Sequence, residues 1–151
     1  METKNNEDFI TKHLPLLDFS NRFLVPPHSP GGGGLALYWK TDVDLLITSS
    51  SDNFIDAKIS YKEKMFVTTF VYGEPDNTKR KAVWEELANK NVDRDVLWFL
   101  MGDFNDILDY SEKTGGPQKA VDTFGDFRAF ISHNDLYDVP HSGNALSWRG
   151  I

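Results

Sequence analysis

The chain contains no cysteine, which excludes both a disulfide framework and a thiolate zinc site and fits a reducing interior. No apolar run approaches the roughly 20 residues needed to span a bilayer, and Met1-Glu2-Thr3-Lys4-Asn5-Asn6 has neither the basic start nor the apolar stretch of a secretory signal. A nuclear or cytoplasmic protein, not secreted and without a membrane partner, is the expectation. A basic surplus is also lacking, since 23 acidic residues against 16 basic ones give a formal net charge of −7. A polyanion is therefore repelled at long range, so any contact with nucleic acid needs a local basic patch or bound cations. Repeats and low-complexity tracts are absent apart from Gly31 to Gly34, and no linker divides the 151 residues. That length is enough to bury one core, so residues 1–151 are expected to fold as one domain.

What is present reads as strands grouped early and helices inserted later. Phe9, Ile10, His13, Leu14 and Leu17 recur at intervals of three and four, which predicts an amphipathic helix over Glu7 to Leu17 that Pro15 shortens or breaks. Strand-like runs follow at Leu35 to Lys40, Val43 to Thr48, Phe54 to Ser60 and Met65 to Tyr72. Turns at Asp52-Asn53 and Lys62-Glu63-Lys64 make the last three antiparallel neighbours. A helix near Thr78 to Lys90 is expected to start at Asp76-Asn77-Thr78 and to turn Val83, Trp84 and Leu87 inward. A second, near Thr123 to Asn134, carries Phe124, Phe127, Phe130 and Ile131 on one side, and a short strand near Leu146 to Trp148 ends the chain. This order fits an α+β layered fold. Gly31 to Gly34 feeds directly into Leu35-Ala36-Leu37-Tyr38-Trp39, so it reads as a loop entering a strand. It is not a phosphate cradle, because no Gly-Lys-Ser/Thr follows and no helix begins there.

The most informative feature is Gly102-Asp103-Phe104-Asn105, placed where the apolar run Val96 to Met101 stops. Consecutive apolar residues predict a strand buried on both faces, and the glycine lets the backbone turn so that polar side chains emerge at the sheet's rim. A carboxylate there can take a proton from water or hold a cation, and an amide can donate to a phosphate oxygen, which suits metal-assisted phosphodiester hydrolysis. The plain alternative is a turn that uses Asp and Asn because they tolerate turn geometry. Phe66 to Tyr72, closed by Gly73 and Pro75, is a second buried run that delivers a tyrosine to a sheet end.

Met1-Glu2-Thr3-Lys4, the tyrosine closing a strand at Tyr72, and Gly102 to Asn105, in that order, resemble the endonuclease/exonuclease/phosphatase superfamily. Finer details are Pro26-Pro27-His28-Ser29-Pro30 with the glycine run, Gly102-Asp103-Phe104-Asn105-Asp106-Ile107-Leu108, and Glu112-Lys113-Thr114-Gly115-Gly116. These look like the apurinic-endonuclease-like domain of plant LINE-type non-LTR retrotransposons, over nearly the whole chain. The resemblance implies an α+β, DNase I-like layered β-sandwich flanked by helices, incomplete at both ends. It implies DNA hydrolysis by water, with Mg²⁺ (or Mn²⁺) held by Glu2 and Asp103. Asp103 would orient or deprotonate the water, Asn105 would hold it or the phosphate, and Tyr72 would hydrogen-bond a phosphate oxygen. The parent element would also carry a reverse transcriptase domain. The family's upstream asparagine and its downstream aspartate and histidine are not in the chain, so little or no nicking is expected of it alone.

Lys79-Arg80-Lys81 is the candidate substrate-binding patch, and a solvated basic face is its plain alternative. His13, His28, His133 and His141 fall outside the family's histidine context and read as structural or surface residues. Two other classes stay open beside the endonuclease. One is a metal-dependent phosphatase acting on a small phosphoester, and the other is a non-catalytic retroelement relic or binding module.

Overall fold

The computed structural model of the chain describes residues 2–13, 18–28, 32–92, 94–116, 121–140 and 142–143. In chain order the elements are α1 (Glu7–His13), β1 (Asn21–Val25), β2 (Leu35–Trp39), β3 (Asp44–Ser50), β4 (Phe54–Tyr61), β5 (Lys64–Tyr72), α2 (Arg80–Asn91), β6 (Trp98–Asp103) and α3 (Gly125–His133). Short 3₁₀ turns at Tyr110–Glu112 and Val121–Phe124 precede α3. The strands form two sheets, antiparallel β1-β2 and the mixed β3-β4-β5-β6, so the fold is α+β as expected. Among the described residues no helix is long and apolar enough to cross a membrane.

The turns explain the antiparallel order. Lys62 and Glu63 both adopt left-handed backbone angles, φ +46° and +63°, so β4 and β5 close through the two-residue turn whose twist matches the strands. Tyr61 then pairs with Lys64, and the ladder runs to Phe54 opposite Val71. Asp52 and Asn53 turn β3 into β4, with the Ser51 N–H donating to the Phe54 carbonyl at 2.9 Å. By contrast β5 and β6 run parallel, from Val67 opposite Trp98 to Tyr72 opposite Asp103.

Contacts divide the chain into two compact units that alternate along it. The first is Met1–Glu74 with Arg94–Phe104, and the second is Pro75–Asp93 with Asn105–Ile151. In the first, Ile10, Leu35, Phe54, Ile55, Ala57, Val67 and Val71 are buried. In the second, Val83, Trp84 and Leu87 of α2 and Phe124, Phe127 and Phe130 are buried. The Trp84 ring lies 4.8 Å from Phe127 and 5.4 Å from Phe130, centroid to centroid. Each large apolar side chain fully buried contributes about 1.5–3 kcal/mol relative to exposure.

Some expectations are corrected. The run ending at Met101 is not buried on both faces, because Leu97, Phe99 and Met101 are exposed while Trp98 and Leu100 are half-buried. β6 is the last strand of the described order, and a strand with one lateral neighbour need not be covered on both sides. The helix after Asp76 begins at Arg80 and is not capped by Asp76. That carboxylate instead closes a local turn by accepting from the Thr78 N–H at 3.0 Å and the Thr78 hydroxyl at 2.8 Å. Strand β1 was not foreseen, since five residues containing Arg22 give too short a pattern to register. The first helix is described over Glu7–His13. Leu14, Pro15, Leu17, His141 and the strand expected at Leu146 to Trp148 lie outside the described residues.

Candidate functional site

Tyr72 and Asp103 meet because two parallel strands end side by side. They are register partners across β5 and β6, so their side chains leave the same face of the sheet. Tyr72 is half-buried and Asp103 exposed. Two glycines make the closure possible. A Cβ on Gly102, whose φ is +142°, would lie 1.9 Å from the Val71 carbonyl oxygen. One on Gly73 would lie 1.8 Å from that of Phe104. With no side chain in the way, the Gly73 N–H donates to the Asp103 carbonyl at 2.7 Å.

Asn53 braces the tyrosine from the other side. Its side-chain amide donates to the Tyr72 carbonyl at 3.0 Å, and its own carbonyl accepts from the Tyr72 N–H at 2.7 Å. The sequence showed Asn53 only as a turn residue. Nothing local in it signals a partner 19 positions away.

Glu2 is held in the same unit, through the edge of the smaller sheet. It forms an isolated bridge with Leu35, while the Thr3 and Lys4 N–H groups donate to the Gly34 and Gly33 carbonyls at 2.8 and 2.9 Å. The glycine run is therefore more than a lead into β2. Gly33 and Gly34 take φ of +74° and +76°, and a Cβ on Gly34 would come within 2.6 Å of the Thr3 hydroxyl. The Glu2 side chain is 16% exposed. Its Oε1 accepts from the Gly33 N–H at 3.1 Å, and its Oε2 faces the Lys4 ammonium at 3.5 Å. Lys4 is thus the cation that Glu2 holds here.

Asn105 begins the later stretch of the second unit. Its backbone is left-handed, φ +50°, a conformation that asparagine tolerates better than most residues. The next residue, Asp106, is almost fully buried and pairs with Arg80 at 3.4 Å, and it also accepts from the Ile107 N–H at 3.0 Å. Arg80 further donates to the Pro75 carbonyl at 3.1 Å.

These contacts change the picture of Lys79-Arg80-Lys81. Arg80 points inward, its side chain 12% exposed. Lys79 and Lys81 face solvent, each near an acidic neighbour, Asp76 at 3.8 Å and Glu85 at 3.9 Å. The Thr78 hydroxyl and N–H, followed by the Lys79 and Arg80 charges, hold the Asp76 carboxyl below its ordinary value. The Ser111 hydroxyl and N–H do the same for Asp109.

His13 and His133 keep structural surroundings. The Nδ1 of His13 lies 2.9 Å from the Phe9 carbonyl, and that of His133 lies 2.8 Å from the Ala129 carbonyl, each inside its own helix end. Among the described residues no group of three His, Cys, Asp or Glu side chains is arranged to hold a metal ion. The Glu2 and Asp103 carboxylates are of the donor type that a hard cation takes one or two of while keeping most of its waters, and in this structure the Glu2 oxygens are engaged by the Gly33 N–H and the Lys4 ammonium.

The sequence profile described as "Endonuclease/Exonuclease/phosphatase family" matches residues 1–149. No curated protein matches the chain.

Proposed function

Because the chain belongs to the endonuclease/exonuclease/phosphatase family, a superfamily of metal-dependent phosphoesterases, we propose that it is a phosphodiester hydrolase of DNA. We further propose its origin in the endonuclease of a LINE-type retrotransposon, which would act in the nucleus or cytoplasm beside the element's reverse transcriptase. The observation that carries the reading is the Tyr72 and Asp103 pair, set on one face where β5 and β6 end.

In this reading Asp103 accepts the proton of the attacking water at a carboxylate oxygen. The Tyr72 hydroxyl donates to a non-bridging phosphate oxygen, and the Asn105 side-chain amide donates to the phosphate or orients the water. Glu2 and Asp103 would hold Mg²⁺ or Mn²⁺, which would supply Lewis-acid stabilisation of the charge that develops on the phosphoryl group. Lys79 and Lys81 are the solvent-facing cations that a nucleic-acid backbone would meet. The intramolecular bonds of Arg80 suit it to supporting the segment after Asn105.

One observation favours a second substrate class. With a formal net charge of −7 and both exposed lysines beside carboxylates, a small phosphoester approaches against less repulsion than a long polyanion. Incubating the 151-residue chain with supercoiled plasmid or with inositol phosphates, in Mg²⁺ or in chelator, separates the two. In keeping with the little nicking expected of the chain alone, the proposal expects slow Mg²⁺-dependent nicking that Asp103→Ala abolishes. Phosphate release from inositol phosphates with an untouched plasmid would assign the second class, and no turnover of either would overturn both.

A further inference from the structure

A buried polar network ties the start of β6 to the middle of the sheet, and none of its members belongs to the hydrolytic set. Asp56 of β4 is 4% exposed. Its Oδ2 accepts from the Arg94 guanidinium at 2.7 Å and lies 3.0 Å from the Thr48 hydroxyl. Its Oδ1 accepts from the Thr69 hydroxyl of β5. The same Thr69 oxygen accepts from the Trp98 indole N–H at 2.7 Å, and the Arg94 guanidinium carbon sits 4.7 Å from the centre of the Trp98 ring. Side chains of β3, β4, β5, the first residue of β6 and the segment before it are thereby joined by directional bonds.

Burial of a charged pair is a poor way to gain stability, because desolvation offsets much of the attraction and apolar packing of equal volume does as well. The network even leaves a defect, since the Arg94 Nη1 is buried without a hydrogen-bond partner. What directional bonds do better than apolar contact is choose one alignment. Parallel strands need that choice, because their backbone bonds are evenly spaced along the ladder. A slip of two residues keeps every side chain on its proper face, yet moves a strand by about 6.6 Å. Trp98 stands opposite Val67 at one end of β6, and Asp103 stands opposite Tyr72 at the other.

We infer that Asp56, Thr69, Arg94 and Trp98 are positioning residues that set the register of β6 on β5 and so hold Asp103 beside Tyr72. The role assigned to Asp103 rests on the proposed hydrolase; the register assignment stands on the network alone. A volume-preserving apolar pair, Asp56→Leu with Arg94→Met, removes the charges without emptying the core, and Thr69→Val removes the bridging hydroxyl.

Amide exchange resolved by nuclear magnetic resonance on the full chain reads the register directly. The Val67 N–H donates to the Leu97 carbonyl and the Gly73 N–H to the Asp103 carbonyl. The expected result is at least a tenfold loss of protection at Gly73 and Val67 in both variants. Protection across the β4-β5 ladder should stay near wild type, and Thr69→Ser, which keeps the hydroxyl, should restore both amides. Unchanged protection at Gly73 and Val67 overturns the inference. So does an equal loss throughout the sheet, which marks the network as a general stabiliser. Failure of the wild-type chain to hydrolyse any phosphoester would sink the functional proposal and leave this exchange result to decide the register.

Discussion

The sheet unit and the helical unit hold their residues in place by different physics. In the sheet unit the residues that matter are fixed by directional contacts: the Gly73 N–H on Asp103, the Asn53 amide on Tyr72, and the Asp56 network at the far end of β6. In the helical unit, α2 and α3 are joined through Trp84, Phe127 and Phe130, whose rings make broad apolar contact with few specified angles. Area contributes stability, while directional bonds specify position. A hydrolytic centre needs the second, since a misplacement of about 1 Å can cost about a hundredfold in rate.

Substitutions should therefore separate rate from stability according to the unit they touch. The largest effect is expected at the strand ends. In Gly73→Ala the new Cβ would meet the Phe104 carbonyl, so phosphodiester hydrolysis should fall about a hundredfold, measured as initial rate. A melting curve should confirm that the variant folds. An unaltered rate would mean that the closure of β5 and β6 does not position Asp103.

In the helical unit, Trp84→Ala should lower stability by about 3–5 kcal/mol, the usual cost of removing a large buried aromatic, as read from urea unfolding. A loss below about 1 kcal/mol would show that the rings are not the source of its cohesion.

The exposed lysines come next. Lys79→Gln with Lys81→Gln should reduce the salt dependence of DNA binding by at most about one unit of slope per lysine, because Asp76 and Glu85 already offset part of each charge. A larger drop would make the patch a stronger phosphate contact than its ion pairs suggest.

The smallest effect concerns pH. The carboxyl of Asp76 is held below its ordinary value chiefly by the Thr78 hydroxyl and N–H, so its contribution is present above the unfolded-chain value and lost as pH falls through the lower folded value. The Thr78 amide signal should accordingly shift only on the acidic side of the ordinary aspartate range, and Asp76→Ala should abolish that shift. A midpoint at or above the ordinary value would contradict the assignment.

The same contrast sets what was legible in the sequence. β2 to β5 could be read because apolar runs and their turn residues are local signals, and α3 because four apolar side chains fall on one side of a helix. The exposed flank of β6 could not, since an apolar run says nothing about how many strands lie beside it. The Asp56 and Arg94 pair, 38 positions apart in the chain, leaves no local trace. Nor does the inward turn of Arg80, whose neighbours Lys79 and Lys81 face solvent. Tyr72 and Asp103 were each legible as a polar residue closing a strand. Their pairing was implied by the family likeness, because parallel register is set by contacts that only the fold brings together.

The most direct test of the account is hydrolysis of bis(p-nitrophenyl) phosphate, a diester without sequence or duplex, by the wild-type chain and Asp103→Asn in Mg²⁺. Slow wild-type turnover that chelator abolishes is expected, with at least a hundredfold loss in the variant, whose fold and melting temperature are retained. Equal rates in the two proteins would contradict the central claim that Asp103, held beside Tyr72 at the ends of β5 and β6, is the proton acceptor of a phosphodiester hydrolase.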